Sequence, residues 1–410
     1  MISKTKKLFK LAYLVSHPIQ YQSPLLRQIT EHPDIDLKVF FLSDLSIRSF
    51  KNKEFNEEIK WDVPLLKGFS YEFLPCVGSN DSVSFFRPLN YGLKRHLKNG
   101  NFDALWVHGY NYQNNLRAIL TAKKLGIKVL MRGDSTLIST YRSPLKLFFK
   151  DKFLKWLFPK CDGFLSVGSL NKSYYQYYKV PQEKIFDMPY AVDNHFFQQN
   201  VIKARSHKDH FKASLCLKKG RPIILYAGKL MTRKRPMDLL EAYIKLSKNG
   251  KNEPNPYLLF VGNGEERNRL EMRAKETGWR SIRFLGFQNQ SKLPAYFDLC
   301  DVFVLPSSLE PWGLIINEVM NAEKPVIVSD QVGCAPDLVK DGENGFIFPA
   351  GDIQALAEAL KNITNNPSLA KEMGRKSLEK INSFGYKENL ICLRKALESL
   401  INHEENSICR

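Results

Sequence analysis

Short apolar runs rich in β-branched and aromatic residues alternate with longer helical patterns through both halves of the chain. This alternation is typical of parallel sheets whose strands are joined by crossover helices. The predicted strands are LAYLV, LKVFFL, ALWVHG, KVLMRG and GFLSVG in the first half, and PIILYAG, YLLFVG, IRFLGF, VFVLPS and PVIVSD in the second. Several end in Gly, Ser or a charged residue, as expected where strands deliver backbone to a ligand at their carboxyl ends.

The length and composition favour two domains of this α/β class. A chain of 410 residues with 43% hydrophobic content exceeds what one core usually serves. The segment 198–222 has many charges and no strand pattern, so we expect it to join the domains. The sequence therefore predicts an N-terminal domain over 1–197 and a C-terminal domain over 198–384. Two helices are predicted after residue 371, and the last, over about 385–410, could pack back on the first domain.

The N-terminus has the basic head of a signal peptide, but Lys10 interrupts its apolar stretch and no small-residue cleavage site follows. No other segment approaches the ~18 uncharged apolar residues of a membrane span. The seven cysteines lack any paired short spacing, which argues against a disulfide framework or a zinc site. We expect a cytoplasmic protein that does not cross a bilayer.

The net charge of +19 would attract nucleic acid, anionic lipid or phosphorylated substrates. Lysines alternate with aromatic residues in RSPLKLFFKDKFLKWLFPK. This segment could be a partly buried helix whose lysines reach solvent, or a contact with an anionic membrane. A basic nucleic-acid-binding protein is an alternative function, but the basic face with base-stacking aromatics typical of that class does not occur. We therefore expect no nucleic-acid partner.

The stretch LEPWGLIINE has the strongest chemical pattern. Pro311 in a predicted first turn is pre-organised for a helix, and the free N–H groups of Gly313 and Leu314 would then form an anion site aided by the helix dipole. Glu310 and Glu318 bracket that site, so the expected ligand is both anionic and polyhydroxylated. Either glutamate could instead be an ordinary acid on a solvated helix.

A second cluster, LYAGKLMTRKRP, places four cations, Lys229 and residues 233–235, on the loop after the strand that ends at Gly228. Like charges on one loop repel one another unless an anion lies among them, and a diphosphate is a suitable anion. The alternative is an exposed basic loop. A Gly-Asn-Gly that begins at Gly262 is a weak phosphate-loop pattern by itself.

The motifs GKLMTRKRP, FVGNGEERNRLE, IRFLGF, EPWGLIINE and PVIVSDQVGCAPDLVKDGENGFIFPAGD together resemble the C-terminal domain of the retaining GT-B glycosyltransferases of family four. The N-terminal half fits more loosely, through ALWVHG, CDGFLSVGS and PYAVDNHFF. The resemblance implies two Rossmann-like domains that face each other across a cleft. It also implies a retaining, metal-independent transfer of sugar from a nucleotide diphosphate-sugar, most often a UDP- or GDP-sugar, to a glycan or lipid-linked acceptor. No cofactor is implied.

The resemblance also implies roles for individual residues. Lys229 and Lys234 would hold the donor diphosphate, with Lys229 where the family more often has Arg. Glu310 would contact the donor sugar, either as a nucleophile or, as we favour, as a stabiliser of front-face substitution. Glu318 would accept hydrogen bonds from the ribose. The remaining donor contacts would come from the backbone, with Gly228, Gly262, Gly313 and Leu314 near phosphate or sugar oxygens and Gly286 and Phe287 at the base pocket.

The N-terminal domain departs from the family pattern in two places. SHPIQYQSP replaces the Gly-rich loop after the first strand, so His17 is a candidate contact there. MRGDS stands where many members have a His, so Arg132 and Asp134 are expected to face acceptor or sugar. His108, at the end of ALWVHG, could be the displaced catalytic contact, although a lone His is more often structural.

Three alternatives remain for the chemistry. A metal-dependent transferase would use an Asp-x-Asp motif, which Asp34-Ile35-Asp36 formally matches, but this motif precedes its strand and ligands lie beyond strand ends. A GT-B nucleotide-sugar epimerase or a phosphorylase would use the same donor pocket. The favoured hypothesis is a transferase of surface-polysaccharide or glycolipid synthesis. A peripheral position at the inner face of the cell membrane is a further hypothesis.

Overall fold

The computed structural model describes residues 8–47, 50–52, 57–59, 61–78, 80, 82–138, 143–246 and 256–408. Its strands are β1 Phe9–Val15, β2 Ile35–Phe41, β3 Phe50–Asn52, β4 Glu57–Ile59, β5 Ser70–Phe73, β6 Cys76–Val77, β7 Leu89–Asn90, β8 Ala104–His108, β9 Lys128–Gly133, β10 Gly163–Ser166, β11 Ile185–Asp187, β12 Ile223–Ala227, β13 Tyr257–Val261, β14 Ile282–Phe284, β15 Val302–Leu305, β16 Val326–Ser329 and β17 Gly345–Phe348.

The α-helices are α1 Ser23–Glu31, α2 Leu93–Gly100, α3 Gln113–Lys124, α4 Pro144–Leu157, α5 Ser169–Tyr177, α6 Asn194–Arg205, α7 Lys208–Ser214, α8 Pro236–Lys245, α9 Arg267–Thr277, α10 Leu293–Leu299, α11 Leu314–Met320, α12 Ala335–Leu338, α13 Ile353–Thr364, α14 Pro367–Ile381 and α15 Tyr386–Ile408. Short 3₁₀ helices cover Phe158–Lys160, Gln182–Lys184 and Thr232–Lys234.

The described residues form two compact units. The first unit comprises those within Met1–Phe50, Pro64–Tyr190 and Tyr386–Arg410, and the second comprises those within Lys51–Val63 and Ala191–Gly385. The chain thus passes into the second unit after Tyr190, and the predicted connection over 198–222 contains part of α6 and all of α7. Helix α6 belongs to the second unit because its apolar side is buried there: Phe197 is fully buried and its ring contacts that of Phe297 in α10.

The first unit contains a seven-stranded sheet in the order β11-β10-β9-β8-β1-β2-β5, with the described pairs parallel. Strands β1 and β8 are buried almost throughout, as expected for parallel strands covered by helices on both faces. Its core continues into α3, α4 and α5, where Ile119, Leu154 and Tyr174 are buried.

The second unit has a six-stranded parallel sheet in the order β14-β13-β12-β15-β16-β17. Strands β12 and β13 are buried at every position, and their core includes α8, α9 and α13. Both halves are therefore Rossmann-like, and the predicted α/β fold class is confirmed. All ten predicted strands occur. The sequence pattern missed β5, β11 and β17, which are three of the four edge strands of the two sheets.

The predicted pair of C-terminal helices corresponds to α14 and α15, and they belong to different units. Helix α15 packs on α1 and β11 of the first unit. Arg394 on α15 lies 3.3 Å from the buried Asp34 carboxylate, and the Tyr386 hydroxyl donates to the carbonyl of Tyr21 at 2.8 Å. In the part of the chain that the structure describes, no helix is both long and apolar enough to span a membrane.

Candidate functional site

The second unit has a topological switch point between β12 and β15. From β12 the chain adds β13 and β14 on one side, and then returns to place β15 on the other side. Ligands of open parallel sheets bind beyond the carboxyl ends of strands at such a point. The segments that follow these two strands contain the predicted residues Gly228 and Lys229 after β12 and Glu310 after β15.

The two segments are fixed to each other by hydrogen bonds. The Ser308 N–H donates to the carbonyl of Arg233 at 2.8 Å, and the Arg233 guanidinium donates to the carbonyl of Leu309 at 3.3 Å. This contact brings the Lys234 ammonium against the Glu310 carboxylate in an ion pair. Only 14% of the lysine side chain and 11% of the glutamate side chain are exposed. Two residues predicted to act on the same ligand thus lie together.

The basic loop is not a cluster of four unpaired cations, which corrects the expectation from the sequence. Lys234 pairs with Glu310, and Arg235 pairs with Asp238 of α8 at 2.5 Å. Protein carboxylates therefore already compensate two of the charges. Lys229 is half-buried, and its carbonyl accepts a hydrogen bond from the Tyr226 hydroxyl at 2.8 Å, which fixes the backbone beside Gly228.

Helix α11 begins at Leu314, and the prediction that it opens at Pro311 is wrong. Gly313 precedes the helix with a φ of 97°, in the left-handed region that favours glycine. The carbonyl of Glu310 accepts the Gly333 N–H at 2.8 Å, so residues 310–312 pair with the neighbouring segment instead of entering the helix. Because α11 has only seven residues, its dipole is a smaller part of any anion attraction than the sequence suggested.

Three of the predicted glycines form one continuous backbone contact. The Gly262 N–H donates to the carbonyl of Gly286 at 2.7 Å, and the Gly228 N–H donates to the carbonyl of Val261 at 2.9 Å. A Cβ on Gly262 would lie 1.9 Å from the Gly228 carbonyl oxygen, and its φ of 134° also favours glycine. The Gly-Asn-Gly pattern therefore has a packing cause. Phe287 follows Gly286 and is half-buried.

Glu318 lies on α11 and is half-buried, so it is not the solvated acid of the simpler interpretation. Burial raises the pKa of its carboxyl to about 8. Among the described residues, no hydrogen bond or ion pair reaches this side chain. At neutral pH the carboxyl is therefore largely protonated, and it can both donate and accept a hydrogen bond.

Gly333 is a residue that the sequence did not single out. A Cβ there would lie 1.9 Å from the carbonyl oxygen of Pro311, and its N–H holds Glu310. Its only sequence signal is its place in VGCAPD, directly after the strand PVIVSD.

The first unit also has a switch point, between β1 and β8, because β2 and β5 lie on one side and β8, β9, β10 and β11 on the other. His17 follows β1, His108 is the last residue of β8, and Arg132 lies near the end of β9. The structure thus gathers three predicted contacts at adjacent strand ends. Asp134, just beyond β9, has an exposed side chain.

His108 is held by two tyrosines. Its Nδ1 lies 3.2 Å from the Tyr13 hydroxyl and its Nε2 lies 3.3 Å from the Tyr190 hydroxyl. Burial lowers the pKa of His108 to about 3, with smaller contributions from the charge of Arg132 and from His17. Burial also lowers the pKa of His17 to about 4, and the Ser16 hydroxyl lies 2.9 Å from its Nδ1. Both rings are neutral at physiological pH.

The formal Asp-x-Asp motif lies at the amino end of β2, where Asp34 pairs with Arg394. Within the described ranges, no group of three or more His, Cys, Asp or Glu side chains is arranged to hold a metal ion.

Residues 207–380 match the family model described as "Glycosyl transferases group 1". The matched segment, called the group 1 domain below, lies within the second unit and is similar to that family. It contains the whole switch-point site of the second unit, from Gly228 to Glu318 and Gly333.

Three proteins are similar in sequence to this chain. The chain is 26% identical over 197 residues to "Alpha-D-kanosaminyltransferase" of Streptomyces kanamyceticus, covering 48% of this chain and 49% of that one. It is 31% identical over 170 residues to "Lipopolysaccharide core biosynthesis glycosyltransferase LpsE" of Rhizobium meliloti, covering 41% and 47%. The chain thus spans about half the length of these two relatives.

A longer alignment, 24% identical over 298 residues and covering 72% of this chain and 74% of the other, joins it to "GalNAc-alpha-(1->4)-GalNAc-alpha-(1->3)-diNAcBac-PP-undecaprenol alpha-1,4-N-acetyl-D-galactosaminyltransferase" of Campylobacter jejuni.

Solved structures share the fold outside the group 1 domain as well. A glycosyltransferase from Rickettsia africae superposes with a TM-score of 0.72 at 16% identity, covering 96% of this chain and 99% of that chain. Anabaena HepE in complex with UDP superposes with a TM-score of 0.71 at 15% identity, covering 95% and 100%. The likeness extends the shared fold to both halves of the chain.

Proposed function

We propose that this protein is a glycosyltransferase that moves a sugar from a nucleotide diphosphate-sugar to a glycan or lipid-linked acceptor. The observation that carries the proposal is the contact between the Lys234 and Glu310 segments at the switch point of the group 1 domain. This site combines the Lys234 cation, the Glu310 carboxylate and the half-buried acid Glu318. Such a set of groups suits a ligand that is charged at one end and rich in hydroxyls elsewhere.

The largest contribution to catalysis is stabilisation of the departing diphosphate. Lys229 and Lys234 supply positive charge, and the amides of Gly313 and Leu314 supply further donors. An ammonium has three N–H donors, so Lys234 can hold Glu310 and a phosphate oxygen at the same time. The ion pair thus positions the lysine before the donor arrives.

Glu310 stabilises the oxocarbenium-like centre on its front face, so the anomeric configuration is retained in this proposal. Glu318 binds ribose hydroxyls, and its raised pKa permits it to donate as well as accept. The names of two relatives specify alpha-linked transfer, and that of the Campylobacter enzyme includes PP-undecaprenol, which supports retention and a lipid-linked acceptor here. No step requires a metal or a cofactor.

The first test is a thermal-shift screen of the full chain against UDP, GDP, ADP and their common sugars, with chelator present. A ligand that binds only the folded state raises the midpoint by mass action. We expect one nucleotide to raise it, and Lys234→Met to abolish the rise. Lys275→Met removes an exposed lysine elsewhere in the same unit and should leave it unchanged. If no nucleotide or nucleotide-sugar shifts the midpoint, the proposal is wrong.

Product analysis distinguishes a transferase from an epimerase that uses the same donor pocket. A transferase releases free nucleoside diphosphate in step with acceptor consumption, whereas an epimerase returns a sugar-nucleotide. NMR of the glycoside formed gives the anomeric configuration, and an inverted product would overturn retention. Loss of turnover on chelation would overturn metal independence. Near-full turnover in Glu310→Gln would remove that carboxylate from the mechanism.

We also propose that the protein works at the cytoplasmic face of an anionic membrane, through the amino-terminal half of α4. The residues from Pro144 to Phe149 are all exposed, whereas Leu154 and Leu157 anchor the other half in the core. Phe148 and Phe149 are 55% and 63% exposed. Exposed aromatic and aliphatic side chains beside lysines match the interface of an anionic bilayer.

Flotation with vesicles of mixed zwitterionic and anionic lipid tests this surface. We expect the wild-type chain to float with anionic vesicles, and a Phe148→Ser, Phe149→Ser double variant to remain in solution. Met272→Ser, which removes an equally exposed apolar side chain from the second unit, should float like the wild type. Wild-type protein that stays entirely in the soluble fraction would contradict membrane contact.

A further inference from the structure

The first unit contains an interior positive charge that makes no ion pair with any carboxylate of the described residues. The Arg132 side chain is 1% exposed, and its Nε has no hydrogen-bond partner. Its Nη2 donates to the carbonyls of Met188 at 2.9 Å and Pro189 at 3.2 Å. Among the residues that the structure describes, no carboxylate lies within ion-pair distance of this guanidinium.

Neutral groups compensate this charge only in part. The guanidinium lies 4.9 Å from the centre of the Tyr190 ring and 5.7 Å from that of Trp106, within the range of cation–π contacts. Carbonyl dipoles and aromatic faces carry no formal charge, and a buried ion without a counter-ion is costly. Asp134, two residues further on, is exposed and makes no ion pair with Arg132.

The position of this charge is that of a ligand site. Arg132 lies near the carboxyl end of β9, next to β8 and one strand from β1, where the sheet has its switch point. The groups around it are His108 and the hydroxyls of Tyr13, Tyr21 and Tyr190, which burial keeps neutral by shifting their pKa values, and the Asp134 carboxylate, which lies beyond ion-pair distance. Such groups suit sugar hydroxyls and leave the guanidinium to bind an anion.

We propose that this end of the sheet binds an acidic sugar, with the carboxylate of a uronic acid or a sugar phosphate against Arg132. The identification of that sugar as part of the acceptor rests on the proposed glycosyl transfer, whereas the anion site itself does not. Arg132 then determines substrate specificity in the first unit. A neutral sugar would leave the interior charge uncompensated and bind less well.

The test is isothermal titration calorimetry of the full chain with three probes: glucuronate, glucose as its neutral match, and inorganic phosphate. We expect glucuronate or phosphate to bind and glucose to bind more weakly. Arg132→Met should weaken the affinity for the anion by about tenfold or more, because a charge-assisted hydrogen bond is lost. Arg132→Lys should restore part of that affinity. Lys275→Met removes an exposed cation outside both candidate sites and should leave anion binding unchanged.

Equal binding of glucuronate and glucose by the wild type, or no binding of either anion, would overturn the proposal without reference to any variant. Anion binding retained in a folded Arg132→Met chain would also overturn it, and the arginine would then only brace Met188 and Pro189. Nucleotide titrations of the same preparation keep the two proposals separate. A chain that binds a nucleotide but no anionic sugar refutes the acidic-sugar site alone, and the reverse result refutes the donor site alone.

Discussion

Removing both partners of the Lys234–Glu310 ion pair is expected to destabilise the second unit no more than removing either one. Exposed ion pairs contribute ~0–1 kcal/mol, whereas removing one partner of a buried pair costs about 3–5 kcal/mol. With 14% and 11% of the side chains exposed, this pair is nearer the buried case. Lys234→Met and Glu310→Gln should each lower the free energy of unfolding by about 2 kcal/mol.

The double variant leaves no charge unpaired, so its loss should be smaller than the sum of the two single losses by about 2 kcal/mol. Urea titration of the full chain gives the free energies, and amide hydrogen exchange of peptides from 223–330 reports the second unit separately. Strictly additive losses, with a coupling free energy below about 0.5 kcal/mol, would refute the interpretation of this contact as a desolvated ion pair.

Three further predictions concern single residues. Gly262→Ala should lower the free energy of unfolding in a urea titration by about 3 kcal/mol because its Cβ meets the Gly228 carbonyl, whereas Gly220→Ala, with open space around it, should cost about 1 kcal/mol. The folded-state pKa of Glu318, about 8, exceeds its ordinary 4.5, so stability falls as pH rises between these values. Glu318→Gln should remove that slope in thermal melts. Above pH 8 it should raise the free energy of unfolding by on the order of 2 kcal/mol. The folded-state pKa of His108, about 3, lies below its ordinary 6.5, so stability falls as pH drops between these values. His108→Gln should reduce that loss in acid melts, and an unchanged profile would contradict a neutral buried ring.

Much of the fold could be predicted because parallel strands buried on both faces are continuous apolar runs. YLLFV and VFVLP carry that pattern, and both are strands. The edge strands β11 and β17 are only partly buried and short, so their sequences lack it. The crossing near Tyr190 has no composition change, whereas the charged stretch after it belongs to α6, whose apolar side is buried, and to α7.

The candidate site was predictable in its residues but not in its contacts. Motif order located Gly228, Lys234 and Glu310, since strand ends in a parallel sheet meet at one edge. The start of α11 was not predictable from Pro311, because a hydrogen bond from the distant Gly333 decides it. The surroundings of Arg132 were not predictable either. Its guanidinium contacts the carbonyls of Met188 and Pro189, which lie far from it in the sequence.

The division of the chain between the units has a consequence for synthesis on the ribosome. Residues 191–385 are one continuous stretch that holds nearly all of the second unit, so they can complete their core as soon as they emerge. The first unit must wait for α15, whose Arg394 pairs with Asp34 near the other end of the chain. Until then α1 and β11 lack the helix that packs on them, and a chaperone that covers apolar surface would find its binding site there.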